Sequence, residues 1–347
     1  MNGNSDMTAR LARKLDQLQA GGTDKQILFL PVACGLGGQV TGRVQTLTLA
    51  LALGRKAVFI GVDDAPYGQT FEPMHLPVAL AGDLKALPLV DVTAEQDDPI
   101  VCYDPARVAV HARSLDAILL ERIHRETGVL VPDRLALEGF LFNWMKPTAA
   151  MRAYCEEQQQ RLGIGHDTLG IHFRRGDKAV ETAFVPAAEF NRRIAAMHER
   201  WPFTSLFLAS DSPDAPQEIV CPPGVKLIFD TEEQRYNNAN HKMLLEAPEL
   251  VDQETRVAFK NIYLLSCCGG LIGQDNAHFA TLAGASILAR DGVEERIELI
   301  DGRIAEKSSP ALARYFRIKK ALRAVARRLL PFMTMSARME RSAKRGQ

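Results

Sequence analysis

The sequence predicts an α/β chain built of two Rossmann-like domains. Two observations carry that expectation. A strand, a glycine turn, a helix and a second strand follow one another between Ile27 and Val62, and a second alternation of apolar strands and helices begins at Thr168. Helical patterns from Val108 to about Arg161 fill the space between them and place the joint near residues 148–165. With 347 residues, 46% of them hydrophobic, the chain is long and apolar enough for two domains of ordinary size.

In chain order, residues 1–25 are polar and read as a loose or helical lead-in. Residues 26–155 form the first Rossmann-like domain: Ile27 to Val32 is a strand, Cys34-Gly35-Leu36-Gly37-Gly38 a turn, Gln39 to Leu53 a helix and Ala57 to Val62 a strand. Residues 63–105 are irregular and rich in Pro and Asp. Residues 156–305 form the second domain. Its strands are expected at 168–173, 204–209, 225–229 and 270–273, with helices near 187–200 and 252–266 and after Asn276. Residues 306–347 form a basic tail.

Formal net charge is zero, yet the charge is uneven. Residues Ala311 to Gln347 carry 11 Lys/Arg and one acid, which leaves 31 basic and 41 acidic residues in 1–310. An acidic body argues against a nucleic-acid-binding surface there, while the tail suits an anionic partner. Six cysteines show neither metal-ligand spacing nor a CxxC pair, and the first 30 residues do not read as a signal peptide. A reducing, cytoplasmic setting is expected. No apolar run reaches the ~18 residues of a membrane span. From Leu312 to Leu330, apolar residues such as Leu312, Tyr315, Ile318 and Leu322 share one arc of a helix and Arg314, Arg317 and Lys320 another. Such a helix fits either peripheral contact with the inner membrane face or packing against the acidic body.

The densest chemistry follows the strand that begins the second domain: Ile171-His172-Phe173-Arg174-Arg175-Gly176-Asp177-Lys178, then Glu181. In open α/β sheets ligands gather at the carboxyl ends of the strands, where Arg174, Arg175, Asp211, Asp230 and Asn276 all fall. Guanidinium groups grip phosphate oxygens with forked donors, and a glutamate can act as a base. Neighbours on a strand point to opposite faces, so one arginine is expected to reach a ligand while the other braces the site. A surface ion-pair network is the competing explanation. Asp211 could cap the following helix as well as touch a ligand. His172 could be a satisfied core residue or a nucleotide contact.

Gly35, Gly37 and Gly38 open a helix and would let backbone approach a diphosphate, although Val40 breaks the dinucleotide fingerprint. Gln274-Asp275-Asn276-Ala277-His278 could bind phosphate through backbone amides or simply cap a helix. No D-x-D tripeptide and no His/Cys ligand set occurs, so no metal is expected and leaving-group charge falls to Arg, Lys and backbone amides.

His172-Phe173-Arg174-Arg175-Gly176-Asp177-Lys178 with Glu181-Thr182-Ala183-Phe184 resembles the H-x-R-R-x-D-K and E-x-A-F motif of the α1,6-fucosyltransferase family, nodulation-type and N-glycan core enzymes alike. Leu208-Ala209-Ser210-Asp211-Ser212-Pro213 is similar to that family's L-A-T-D-D-P. Asn261 to Ser266, followed by Leu271-Ile272-Gly273, is similar to its last motif, and Cys34 to Gln39 to its first glycine turn. The resemblance spans roughly residues 27–290.

It implies a GT-B-like fold with two Rossmann-like domains facing across a cleft, the first on the acceptor side and the second holding the donor. It implies GDP-fucose as donor substrate, no cofactor, and inverting, metal-independent transfer of fucose to a glycan hydroxyl in glycan biosynthesis. By the same resemblance Arg174 holds the β-phosphate, Glu181 is the general base with Lys178 nearby, and Arg175 and Asp177 support the site. His172 and Asp211 lie near the guanosine, and Gly37 and Gly38 near the diphosphate.

Four departures stand out. One residue is missing between Lys178 and Glu181, Ser212 replaces a second acid, Asn261 replaces an acid that helps read guanine, and Asn276 and Ala277 replace a serine pair. Two alternatives therefore stay open: a transferase of this fold with another nucleotide-sugar, or a non-catalytic glycan- or nucleotide-binding protein.

Overall fold

The computed structural model describes residues 3–30, 34–59, 70–72, 86–105, 107–108, 110, 113–175, 182–233, 235 and 248–329. Its contacts divide the chain into two compact units. One holds Met1–Ala153 with Leu288–Gly292, the other Tyr154–Ile287 with Val293–Gln347. Each has its own parallel sheet with helices, so the expectation of two Rossmann-like α/β units is met.

The first unit has three parallel strands, β1 (Gln26–Phe29), β2 (Lys56–Phe59) and β3 (Ile100–Tyr103), in the order β2-β1-β3. Ile27 pairs with Ala57 on one side and Val101 on the other. Helix α1 (Gly3–Gln19) is part of this unit: Leu11, Leu15 and Leu18, at helical spacing, are buried. Helix α2 (Leu36–Leu53) is buried along most of its length, as its apolar run requires. Thr46 and Thr48 settle their hydroxyls there on the Gly42 and Val44 carbonyls at 2.8 and 3.0 Å. Arg55, buried after α2, donates to the carbonyls of Gln26, Gln96 and Asp98. Helices α3 (Asp116–Thr127) and α4 (Arg134–Trp144) pack on α2, and α5 (Ala149–Leu162) leads into the second unit.

In the second unit the strands are β4 (Thr168–His172), β5 (Ser205–Ala209), β6 (Lys226–Ile228), β7 (Gly270–Gln274) and β8 (Ile297–Ile300), ordered β6-β5-β4-β7-β8 and all parallel. The chain runs outward from β4 through β5 to β6 and then returns to the other side of β4 as β7. The β4–β7 neighbours therefore mark a topological switch point. Alternation on the strands sorts the core into two layers. Leu169, Ile171, Phe173, Leu206 and Leu208 pack with Phe190 and Ile194 of α6 (Ala187–Arg200). On the other face Phe207 and Ala209 pack with Leu264 and Leu265 of α8 (Pro248–Cys267) and Ala280 and Ala283 of α9 (His278–Asp291). A one-turn helix, α7 (Ala215–Glu218), follows β5.

The unit closes with α10 (Ile304–Lys307) and α11 (Pro310–Leu329), which pack against each other. Among the described residues no helix is long and apolar enough to cross a membrane.

Gly273 on β7 is required by packing. A Cβ there would fall on the Cβ of Ala280 in α9 and lie 3.5 Å from the Cβ of His172. Gly273→Ala should therefore push α9 off the sheet and cost about 1–3 kcal/mol of stability. Urea denaturation measures this, and an unchanged midpoint would show that α9 is not tightly seated.

Candidate nucleotide site

The site grows out of the alternation at the end of β4. Because Phe173 faces α6, its neighbours His172 and Arg174 face the α8 side, where both line an open pocket of about 510 Å³, including space continuous with solvent. Arg175 turns the other way and is buried. Its guanidinium lies 3.6 Å from the centre of the Phe173 ring and 5.1 Å from that of Phe184, and it donates to the Val185 carbonyl at 2.9 Å and Glu218 at 3.0 Å. Arg175 thus ties the end of β4 to Val185 and α7.

Asp211, just beyond β5, joins the two strand ends. One carboxylate oxygen accepts from the Arg174 guanidinium at 2.5 Å and the other from the Arg175 backbone amide at 2.8 Å. It holds Arg174 against the pocket wall instead of capping a helix. Ser210 adds a bond to the Phe173 carbonyl at 2.7 Å. The ring of His172 stacks on Phe279 of α9 with centroids 5.3 Å apart, and both rings line the pocket.

Apart from Asn261, the far wall comes from residues that sequence reasoning did not single out. Glu254, Val257, Ala258 and Asn261, at helical spacing, present one face of α8. Behind them Lys260, only 1% exposed, donates to Asp230 at 2.6 Å and Glu233 at 2.9 Å, and Arg161 adds a second cation to Asp230 at 2.9 Å. Asn261 Nδ2 donates to both oxygens of Glu233 at 3.0 Å. Asn261 is itself buried, and its Oδ1 has no hydrogen-bond partner. Arg235 lies over the Phe229 ring and ties the carbonyls of Ser210, Asp230 and Glu233 together. The signals in the sequence for this wall were Asp230 at a strand end and Asn261 at the start of the last motif.

Burial works against ionisation of Asp230, but Lys260 and Arg161 outweigh it and hold the carboxyl below its ordinary value of 3.8. Burial likewise opposes the Lys260 ammonium, yet Glu233 and Asp230 outweigh it and hold it above its ordinary 10.5.

Among the other expected residues, Asn276 and Ala277 lie between β7 and α9. The Asp275 side chain there accepts from the Gly302 amide at 2.8 Å. His278, exposed, opens α9. Gly35, Gly37 and Gly38 belong to the first unit. The helix expected from Gln39 begins at Leu36, because Gly38 and Gln39 already donate to the Gly35 carbonyl at 3.0 and 3.3 Å. Gly37 and Gly38 therefore lie in the first helical turn. Burial pushes the neighbouring Cys34 thiol up to about 11. Asp177, Lys178 and Glu181 lie outside the described residues. Among the described residues no His/Cys/Asp/Glu group could hold a metal ion.

Lys260→Met should cost about 3–5 kcal/mol by leaving two buried carboxylates short of a cation. The sign of the pH dependence is fixed by the two shifts. Asp230's contribution is present above its ordinary pKa and is lost as pH falls through its depressed folded value. Lys260's is present below its ordinary pKa and is lost as pH rises through its raised folded value. The gap between wild type and Lys260→Met in urea midpoint should accordingly be widest near neutrality and narrow toward acid. A pH-independent gap would rule out this charge account.

No family model matches the chain, and no curated protein sequence matches it. Solved structures do align. NodZ α-1,6-fucosyltransferase soaked with GDP-fucose is 16% identical over 76% of this chain and 93% of its own, with a TM-score of 0.42. A mutant of FUT1 from Arabidopsis thaliana in complex with GDP is 14% identical over 79% of this chain and 71% of its own, at 0.49. POFUT1 in complex with GDP-fucose is 11% identical over 80% of this chain and 99% of its own, at 0.41.

Proposed function

We propose that this protein is a glycosyltransferase that uses GDP-fucose and transfers fucose, with inversion and without a metal, to a glycan hydroxyl. The observation that carries the donor assignment is the pair of acceptors on the α8 wall. Asn261 spends its amide donors on Glu233, which fixes the orientation of that amide, since a flip would set oxygen against carboxylate. Its Oδ1 is left as a buried acceptor, and among the described residues Glu233 Oε1 accepts from Asn261 alone and keeps a lone pair. Guanine offers N1–H and N2–H side by side and meets both. Uracil brings a single N–H between two carbonyls, and adenine sets its amino group beside an acceptor. The charge absent from position 261 is supplied by Glu233, so the substitution of Asn for an acid does not argue against guanine.

The stacked His172–Phe279 rings and Arg174 line the same pocket, which supports stacking of a base and an arginine contact to its diphosphate. The acceptor oxygen attacks the anomeric carbon on the face opposite the diphosphate. The new C–O bond forms as the sugar–phosphate bond breaks, the bonding electrons leave with GDP, and Glu181 takes the hydroxyl proton. Negative charge grows on the diphosphate, which Arg174 is placed to stabilise. The roles of Glu181 and Lys178 rest on the sequence motif.

In a thermal-shift panel GDP should stabilise the protein while UDP and ADP do not. Inosine diphosphate, which lacks the 2-amino group, should bind about 10- to 100-fold more weakly than GDP, and Glu233→Gln should erase that difference. Equal shifts from all four nucleotides would refute the guanine assignment. With GDP-fucose and a chitin-type oligosaccharide, Arg174→Ala should lower transfer by ~10²–10³ and Glu181→Gln by ~10²–10⁴. Near-full activity in both variants would refute the catalytic assignment even if GDP binds.

A further inference from the structure

We propose that α11 lies flat on an anionic lipid surface and anchors the protein there. Four large apolar side chains on this helix face solvent: Leu312 is 39% exposed, Tyr315 55%, Ile318 50% and Leu322 64%. At 100° per residue they occupy one arc of about 120°. Such a stripe on a solvated helix is unfavourable unless something apolar covers it. The helix packs against α10, which leaves these four residues uncovered.

Charge selects the occupant. Between Glu306 and Glu340 the sequence has nine Lys/Arg and no acid. Arg314 is exposed at the edge of the stripe, and Arg317 and Lys320 are exposed on the opposite arc. The Lys319 ammonium lies 5.4 and 5.2 Å from the ring centres of Tyr315 and Phe316, so a cation sits within the apolar arc, over its aromatic pair. A second copy packed stripe to stripe would cover the apolar arc but leave the outward-facing cations without an anionic partner. The acidic body would neutralise them, but the stripe is not seated on it. An interface of acyl chains beneath anionic headgroups satisfies both requirements: the stripe enters the hydrocarbon boundary and the cations meet phosphate. Neither an apolar stripe nor a basic cluster is a strong anchor alone, and here one helix presents both.

Flotation of the full chain with vesicles tests this independently of the donor assigned above. The protein should float with vesicles of phosphatidylcholine containing phosphatidylglycerol, not with phosphatidylcholine alone, and added salt should weaken the association. Replacing Arg314, Arg317 and Lys320 with Gln should lower partitioning about fivefold per charge. Tyr315→Asp with Ile318→Asp and Leu322→Asp should abolish it, with melting temperature and nucleotide binding unchanged. Absence of binding to the anionic vesicles overturns the proposal. So does a lowered melting temperature in the apolar variant, which would mean the stripe packs on the body, or a dimer in light scattering that this variant dissociates.

Discussion

One buried ammonium organises the wall of the candidate nucleotide site. Lys260 sits between Asp230, at the end of β6, and Glu233, three residues farther on, and so ties the loop after β6 to α8. A cation at this depth is costly to desolvate and is kept charged only by its two carboxylates. They in turn depend on it, with Arg161 as a second partner for Asp230. Because Glu233 is held from behind by Lys260, its remaining capacity points toward Asn261 and the pocket. Because Asn261 spends its amide donors on Glu233, its own oxygen is left without a partner among the described residues. Remove the ammonium and the acceptor edge loses its orientation along with its stability.

Much of this architecture was legible in the sequence. Strand positions in the second unit follow from short apolar runs ending in Asp or Arg, and β4, β5 and β7 lie within a residue or so of where those runs end. The division of labour between Arg174 and Arg175 follows from period-two alternation, and the side chains obey it. The start of α2 was misplaced by three residues because three glycines in five read as a turn, whereas the buried Leu36 and Val40 seat the helix from the outset. The lead-in helix α1 is bound to its unit by three leucines whose spacing, not polarity, was the informative signal.

The Lys260–Asp230–Glu233 network was not legible, and the reason is physical. Its members come from a strand end, a loop and a helix, and nothing local distinguishes a lysine buried at 1% exposure from a solvated one. On α8 the neighbours Lys260 and Asn261 differ by one helical step, yet one is locked in the interior and the other lines the pocket. Only tertiary packing assigns those fates. The same holds for Phe279, whose partner His172 lies on a strand more than a hundred residues away.

The substitutions that separate this chain from the family it resembles can be weighed by where they fall. A one-residue change within a strand would flip every later side chain to the other face. The residue missing between Lys178 and Glu181 falls beyond β4, so the register that puts His172 and Arg174 on the pocket face is untouched. Ser212 falls outside the Asp211 clamp, which needs only one carboxylate to hold the Arg174 side chain and the Arg175 amide. Asn261 is the departure with chemical weight, and Glu233 answers it at bonding distance. Strand register and buried charge pairing thus protect the part of the site that would grip a diphosphate.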